Sequence, residues 1–409
     1  MTGRIFLSGA ELVLPDRIES GQSLVIEDGR IADFVSGPRA MGAGESHVQV
    51  PGAVIVPGFV DVHVHGVEGM DVLEGAASLA GVASRLPKYG VTAFCPTSIA
   101  CSPAVLESFL DGVAVLRRAL PAGARVLPAH LESNFISPDY NGAQPLTCLR
   151  TPAPSKPQPP DTSEFSGADI LDVIERHAAD VGIVTLAPEI DGGLALVRRL
   201  AQLGVRVALG HTAASFDEGQ AAIAEGACHA THLFNRMPAM THREPGVAGA
   251  VLASEEVAAE LICDGHHVHQ AFVRMTLGAK GRSRVMAITD GTAGSGLPAG
   301  SRATLGGRPI TVRGVALLED GTIAGSVATM DKVFAWLAGA CGLDLREAAE
   351  LCATTPAREM GLIGHGVIAK GAAADLTILD RNFTVLQTWI AGVAAWGGTS
   401  TARRPSPLS

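Results

Sequence analysis

The stretch Val54-Ile-Val-Pro-Gly-Phe-Val-Asp-Val-His-Val-His-Gly66 alternates apolar and polar residues towards its end. Successive side chains of an extended strand point to opposite faces, so Asp61, His63 and His65 are expected on one face and Val60, Val62 and Val64 on the other. Two imidazoles side by side at the end of an apolar strand can grip one divalent cation. Further residues of ligand type close later apolar runs: Glu132 ends Val126-Leu-Pro-Ala-His-Leu-Glu132, His211 ends Val207-Ala-Leu-Gly-His211, His232 follows His229-Ala-Thr, and Asp290 ends Met286-Ala-Ile-Thr-Asp290. Any one of them alone could be a core histidine or a surface carboxylate. Four imidazoles and two carboxylates together suit one or two borderline divalent ions, zinc foremost, with iron, cobalt or manganese as the other choices. A pair of such ions lowers the pKa of a water between them towards neutrality and polarises a carbonyl oxygen, which is the chemistry of hydrolysis. Asp290 fits a general base towards that water and then a general acid towards a departing amine.

These side chains meet only if the runs carrying them are neighbouring parallel strands. Eight strand-like runs can be counted, Ala53–His65, 91–97, 125–132, 182–188, 205–210, 227–232, 260–264 and 284–290, with helical segments between them. Ser215-Phe-Asp-Glu218 is a capping box that opens an alanine-rich helix ending at Gly226. Strand and helix in alternation predict a parallel sheet with crossover helices, and eight repeats predict closure into an α/β (β/α)8 TIM-type barrel with its active site at the C-terminal ends of the strands. Both chain ends read as short strands. Ser23–Val35 holds two β-rich runs joined by Asp28-Gly29, a hairpin signal, and residues 374–379 and 389–396 flank a turn at Asp380-Arg-Asn382. The predicted organisation is a small β-sandwich domain made of residues 1–52 and 367–409, with the barrel spanning 53–366. Thr151-Pro-Ala-Pro-Ser-Lys-Pro-Gln-Pro-Pro160 is too proline-rich for either element and reads as a loop.

Composition narrows the function. The 409 residues leave room for a barrel of about 250 residues and a modest second module, and 47% apolar against 18% charged residues supports a large core. A net charge of −10 without clustered Lys or Arg leaves no face for nucleic acid. No apolar run is long enough to span a membrane, and nothing at the N-terminus reads as a signal peptide. Seven cysteines without a Cys-x-x-Cys pair predict reduced thiols and a cytoplasmic protein.

Taken in order, Pro57-Gly-Phe-Val-Asp-Val-His-Val-His-Gly66, His130-Leu-Glu132, Gly210-His-Thr212, Thr231-His-Leu-Phe-Asn235, Arg243-Glu-Pro-Gly246, Asp264-Gly-His-His-Val268 and Ile323-Ala-Gly-Ser326 resemble the N-acetylglucosamine-6-phosphate deacetylases of the amidohydrolase superfamily. The resemblance spans nearly the whole chain. It implies Glu132, His211 and His232 as metal ligands shared across the family, His63 and His65 as an extra pair that some members have, and Asp290 as the catalytic aspartate. It also implies substrate contacts from Ala143, Gln144, Asn235, Arg236, Arg243, His267, Ile323, Ala324 and Gly325. Arg243 and His267 would face the phosphate, Arg243 from a neighbouring subunit of a homodimer. The partner so implied is a small-molecule amino-sugar phosphate.

Three departures stand out. Ser133-Asn134 replaces a Gly-Pro after the glutamate ligand, Gln144 stands where some members have histidine, and Arg236 stands where a small residue is common. Deacetylation of another amino sugar or its phosphate, such as N-acetylgalactosamine 6-phosphate, is the nearest alternative. A cyclic-amide hydrolase is disfavoured because no lysine ends a strand to bridge two metals, and a barrel that has lost its chemistry would show gaps among the ligands.

Overall fold

A computed structural model describes residues 3–37, 42, 44–119, 123–152 and 164–397. The proline-rich segment beyond residue 152 lies outside the described residues.

Eight parallel strands form the barrel: β1 (Phe59–Val64), β2 (Val91–Ser98), β3 (Ala129–Glu132), β4 (Val181–Leu186), β5 (Arg206–Leu209), β6 (Ala227–Ala230), β7 (Ala258–Ile262) and β8 (Val285–Ile288). Pro128, which has no N–H to donate, separates β3 from the short pairing of Arg125–Val126 with β2. Nearly every strand residue is buried, as expected where helices cover one face and the barrel interior the other. The circle is drawn together between β8 and β1. Val64 pairs with Gly291, the His65 N–H donates to the Gly291 carbonyl at 2.8 Å, and the Thr289 hydroxyl donates to Asp61 Oδ2 at 2.6 Å. The capping box is present, with helix Phe216–Ala224 opened by Ser215 and Glu218 holding each other's backbone N–H.

The run Ala53–His65, expected as one strand, is two. Val54–Pro57 leaves the barrel and pairs with Glu11–Val13 on one side and Leu376–Leu379 on the other, in a six-stranded sheet completed by Ile18–Glu19, Val385–Ile390 and Val393–Trp396. A four-stranded sheet of Ile5–Ser8, Gln22–Glu27, Arg30–Ser36 and Ser46–Gln49 shares a core with it through Leu7, Leu24, Ile31, Ile55, Ile378 and Trp389. The Asp28-Gly29 hairpin forms as read, both residues taking positive φ (51° and 75°), the conformation a two-residue primed turn demands. After β8 a three-stranded sheet, Arg302–Leu305, Arg308–Val312 and Ala316–Leu317, folds over the barrel mouth on its own small core of Ile99, Leu305, Ile310 and Leu318. No described helix is long and apolar enough to cross a membrane.

One buried carboxylate ties the terminal sheet to the barrel. Asp375 accepts from Arg125 Nε and Nη2 at 3.2 Å each, from His365 Nδ1 at 2.8 Å and from the Ala391 N–H at 2.7 Å. Burial pushes its pKa up, but His365 and Arg125 outweigh burial and hold it below the ordinary value. The pairing therefore stabilises the fold in full above the unfolded carboxylate pKa, about 3.9, and the contribution starts to fade there and is lost as pH falls on through the lower folded-state pKa. Asp375→Ala should cost about 2–4 kcal/mol at pH 7, with allowance for the partly solvated arginine. In urea unfolding, that gap between variant and native chain should narrow at pH 3.

Candidate metal centre and active site

The strand ends converge as the spacing predicts, with one exception that matters. Between β1 and β2 the register passes from Asp61↔Phe94 to Val64↔Pro96, two residues of β1 opposing one of β2, which is a bulge at Val62-His63. Alternation therefore breaks. Val60 and Val62 pack with Ala93, Ile183 and Met286 in the barrel interior, His63 also turns inward, and Asp61 turns out to sit among Leu86, Tyr89 and Met330. The expectation that Asp61 shares a face with the two histidines is thus corrected. It is a buried carboxyl, pushed up to about 7 by burial, that pins β8 to β1.

Two clusters of ligand atoms lie at the mouth. Glu132 Oε1 is 2.8 Å from both His211 Nε2 and His232 Nε2, and those nitrogens are 3.1 Å apart. Beside them Asp290 Oδ1 is 3.3 Å from His63 Nε2 and 3.2 Å from His65 Nε2, themselves 3.2 Å apart. Glu132 Oε2 reaches towards the second cluster, 3.7 Å from His65 Nε2. Within each cluster the ligand atoms are close enough to share one ion.

The partners on the far side of three of the four rings test whether these residues fit a metal; His232 Nδ1 is buried without one. His211 Nδ1 bonds the Tyr140 carbonyl at 2.8 Å, His65 Nδ1 the Thr97 carbonyl at 3.0 Å, and His63 Nδ1 the Glu260 carboxylate at 3.1 Å. Oxygen acceptors there require Nδ1–H, so in each neutral ring Nε2 presents a lone pair to a carboxylate and to another imidazole. Lone pairs facing lone pairs need a cation between them, and a divalent ion meets the requirement at both places. In its absence protons must serve. Burial presses the His63 pKa down, but the Asp290, Glu260 and Glu132 carboxylates outweigh burial and hold it up at about 10. Asp290 goes the other way: burial raises its pKa, His63 and His65 more than offset that, and it stays ionised at neutral pH.

The backbone that aims these groups is strained. His211, His232 and Asp290 all take positive φ (47°, 30° and 50°), a region costly for side chains of this kind and kept where the surroundings over-determine it. Gly325 is required beside Asp290, since a Cβ there would lie 2.9 Å from the Asp290 carbonyl oxygen.

The clusters open into a cavity of about 380 Å³ lined by His65, Glu132, Gln144, His211, His232, Asp290, Ala143, Asn235, Arg236, His267, Ile323 and Gly325 among others. In the sequence the choice of His267 over His266 and His269 rests on the family motif alone, and geometry separates the three. His266 is exposed, His269 caps the helix Gln270–Lys280, and His267 lines the cavity. His267 Nδ1 is 2.7 Å from Asp264 Oδ2, while its buried Nε2 has no protein partner. Burial lowers the His267 pKa, but Asp264 outweighs burial and the pKa is raised, which favours the protonated ring and an Nε2–H turned to the cavity it lines. Arg236 lies on the rim against Gly142, where a Cβ would be 2.8 Å from its Nε.

Three sequence-predicted residues do not line this cavity: His63 lies beneath it, fully buried, and two of the predicted substrate contacts are elsewhere. Arg243 is exposed on the loop ahead of helix Gly246–Ala253, and Ala324 is buried behind the lining. Gln144 lines the cavity but its amide is occupied, Nε2 donating to Glu132 Oε2 and Oε1 accepting from the Ala100 N–H, so it orients the carboxylate. The Ser133-Asn134 departure is also explained. Ser133 Oγ donates to the Thr185 carbonyl at 2.6 Å, and Asn134 Nδ2 donates to the carbonyls of Cys101 and Cys148 at 2.7 Å each, which anchors the loop after Glu132.

The amidohydrolase family model matches residues 54–395. This chain belongs to the amidohydrolase family. It is a family of metal-dependent hydrolases, in keeping with the His, Glu and Asp clusters of this chain. The amidohydrolase is 34% identical to an N-acetylglucosamine-6-phosphate deacetylase of Danio rerio over 371 residues, 87% of each chain. It is 33% identical to an N-acetylgalactosamine-6-phosphate deacetylase of Escherichia coli O157:H7, covering 84% of this chain and 88% of that one. Among solved structures, a mutant N-acetyl-D-glucosamine-6-phosphate deacetylase of Mycobacterium smegmatis in complex with N-acetyl-D-glucosamine-6-phosphate superposes with a TM-score of 0.83 at 31% identity, over 96% of this chain and 99% of that one.

Proposed function

We propose that this amidohydrolase removes the acetyl group of N-acetyl-D-glucosamine 6-phosphate, giving glucosamine 6-phosphate and acetate. The observation that carries the reading is one cavity with a carboxylate–imidazole cluster of metal-ligating type on one wall and the buried His267 Nε2, without a hydrogen-bond partner, on another. The first end suits an amide carbonyl, the second a phosphate anion. Glu132, His211 and His232 hold the tighter ion, and His63, His65 and Asp290 the second; zinc is the metal proposed, since the donors are borderline nitrogen and hard oxygen. Bound there, a divalent ion would polarise the amide oxygen and lower the pKa of a nearby water towards neutrality.

Asp290 takes the proton from that water as oxygen bonds to the acetyl carbon. When the C–N bond breaks, the same carboxyl returns the proton to the sugar nitrogen, which leaves as the amine. Asn235, the main chain at Ala143 and Ile323–Gly325 hold the sugar, and Gln144 keeps Glu132 in place. Arg236 and His267 face the phosphate.

Arg243, exposed and away from its own cavity, supports a homodimer in which it serves the neighbouring subunit; a monomer in light scattering would remove that part of the proposal. Seven free cysteines support a reducing, cytoplasmic setting.

The substrate assignment is tested by acetate release from acetylated gluco- and galactosamine, each with and without a 6-phosphate, using metal-stripped and metal-restored protein. The phosphorylated gluco sugar should be fastest by at least about tenfold in kcat/KM over its unphosphorylated form, about the 1.4 kcal/mol of a charge-assisted hydrogen bond, and stripping should abolish the rate. Equal rates with and without phosphate would defeat the substrate assignment and leave the hydrolase intact.

A further inference from the structure

We infer that Glu260, in the body of β7, is the positioning residue for His63 and that the His63–His65–Asp290 ion site depends on it. The inference rests on the metal-dependent reading of the site.

Glu260 stands in Ala258-Ala-Glu-Leu-Ile262 with no solvent exposure, on the same inward-facing side of the strand as Ala258 and Ile262. A carboxylate so placed is costly unless a specific partner compensates it. Its candidate partners are His63 and His130, and the three side chains lie within reach of one shared ion. The hydrogen bonds of His130 exclude it from that role. Its Nδ1 bonds the Val62 carbonyl at 3.0 Å and its Nε2 the Thr185 hydroxyl at 2.7 Å, so neither nitrogen is free, and Glu260 Oε1 stays 3.9 Å from it. The trio is therefore no third ion site. Glu260 Oε2 bonds His63 Nδ1 at 3.1 Å, and Oε1 has no hydrogen-bond partner. His63 is thus the one ring this carboxylate holds.

That contact settles which His63 nitrogen faces the mouth. With Nδ1–H given to Glu260, Nε2 is turned to His65 Nε2 and Asp290 Oδ1. Carboxylates in this second position behind a metal-ligating imidazole fix its tautomer and raise its basicity. Among the described residues the hydrogen bond behind His65 goes to the neutral Thr97 carbonyl, with Asp71 acting on it only through space, so the charge bonded to this site from below is that of Glu260. The bulge at Val62-His63 turns His63 inward onto that charge. Glu132, His211 and His232 make no hydrogen bond or ion pair with Glu260, so the dependence should be confined to one ion.

The test is equilibrium dialysis of the full-length chain, metal-stripped, against graded zinc or cobalt, with bound metal counted per subunit. The native chain should take two ions. Glu260→Gln should hold the ion of Glu132, His211 and His232 at native affinity and bind the other about 10–100-fold more weakly. Glu260→Asp, which keeps the charge but retracts it from His63, should also weaken the second ion alone, and it serves if the glutamine variant does not fold. Two ions held at native affinity by both variants would overturn the inference, as would equal weakening of both ions, the mark of a general packing defect. A native chain that binds one ion regardless of His63→Ala would overturn it too. A native chain that binds none would instead overturn the metal reading beneath it.

Discussion

Asp290→Asn should lower kcat by about 10²–10⁴-fold, the range in which a lost general acid–base group acts, with acetate release measured at saturating metal. The amide cannot take a proton from water or return one to nitrogen. Read from the sequence, where Asp290 is only the proton carrier, this variant would keep its metal. The geometry adds a second effect. Asp290 Oδ1 lies 3.2–3.3 Å from both His65 and His63 Nε2, so replacing it with a neutral group should loosen the ion at that pair and leave the ion at Glu132 in place. Saturating metal separates the two effects, because added ion can restore occupancy and cannot restore the proton path. A rate within a few fold of native under those conditions would remove Asp290 from the chemistry.

Glu132→Gln is expected to be more complete. One carboxylate oxygen serves both His211 and His232 at 2.8 Å, and the other receives the Gln144 amide while facing His65. An amide at this position carries no charge and can turn its NH₂ towards a cation. Bound metal should fall to at most one ion per subunit, the one at His63, His65 and Asp290. The rate should drop at least about 10³-fold, the upper scale for removing one electrostatic stabiliser of the transition state, and added metal should not recover it. The fold should persist, since the imidazoles left behind can lose their protons, and a thermal melt monitored by circular dichroism checks this. Native metal content in a correctly folded variant would place the tighter ion elsewhere.

How much of this site is legible in the sequence follows from what each position asks of its residue. His65, Glu132, His211, His232 and Asp290 close apolar runs, and the rule that barrel chemistry gathers at strand C-termini is enough to find them. His130 lies inside its run, where a polar residue reads as an interruption, and Glu260 reads as the start of the run 260–264 although it sits mid-strand in Ala258–Ile262; what either side chain supports depends on which strand lies across the barrel. Asp61 is misread for a different reason. Strict alternation holds only while the register does, and a bulge leaves no mark in Val60-Asp-Val-His-Val64 itself. His267 is picked out of its neighbours in the sequence only by the family motif, and its physical reason lies in the cavity; the sheet over the mouth, which supplies Leu305, is not legible because its strands are too short and polar to stand out between residues 302 and 317.

The interleaved terminal sheet sets the order in which this molecule can be made. Leu376–Leu379 lies between Val54–Pro57 and Val385–Ile390, so strands formed within the first sixty residues wait for partners more than three hundred residues away. On the ribosome the barrel's local strand–helix repeats can begin to assemble while Val54–Pro57, paired with Glu11–Val13 on one side, waits open on the other, and the sheet closes only once Leu376–Leu379 has left the exit tunnel.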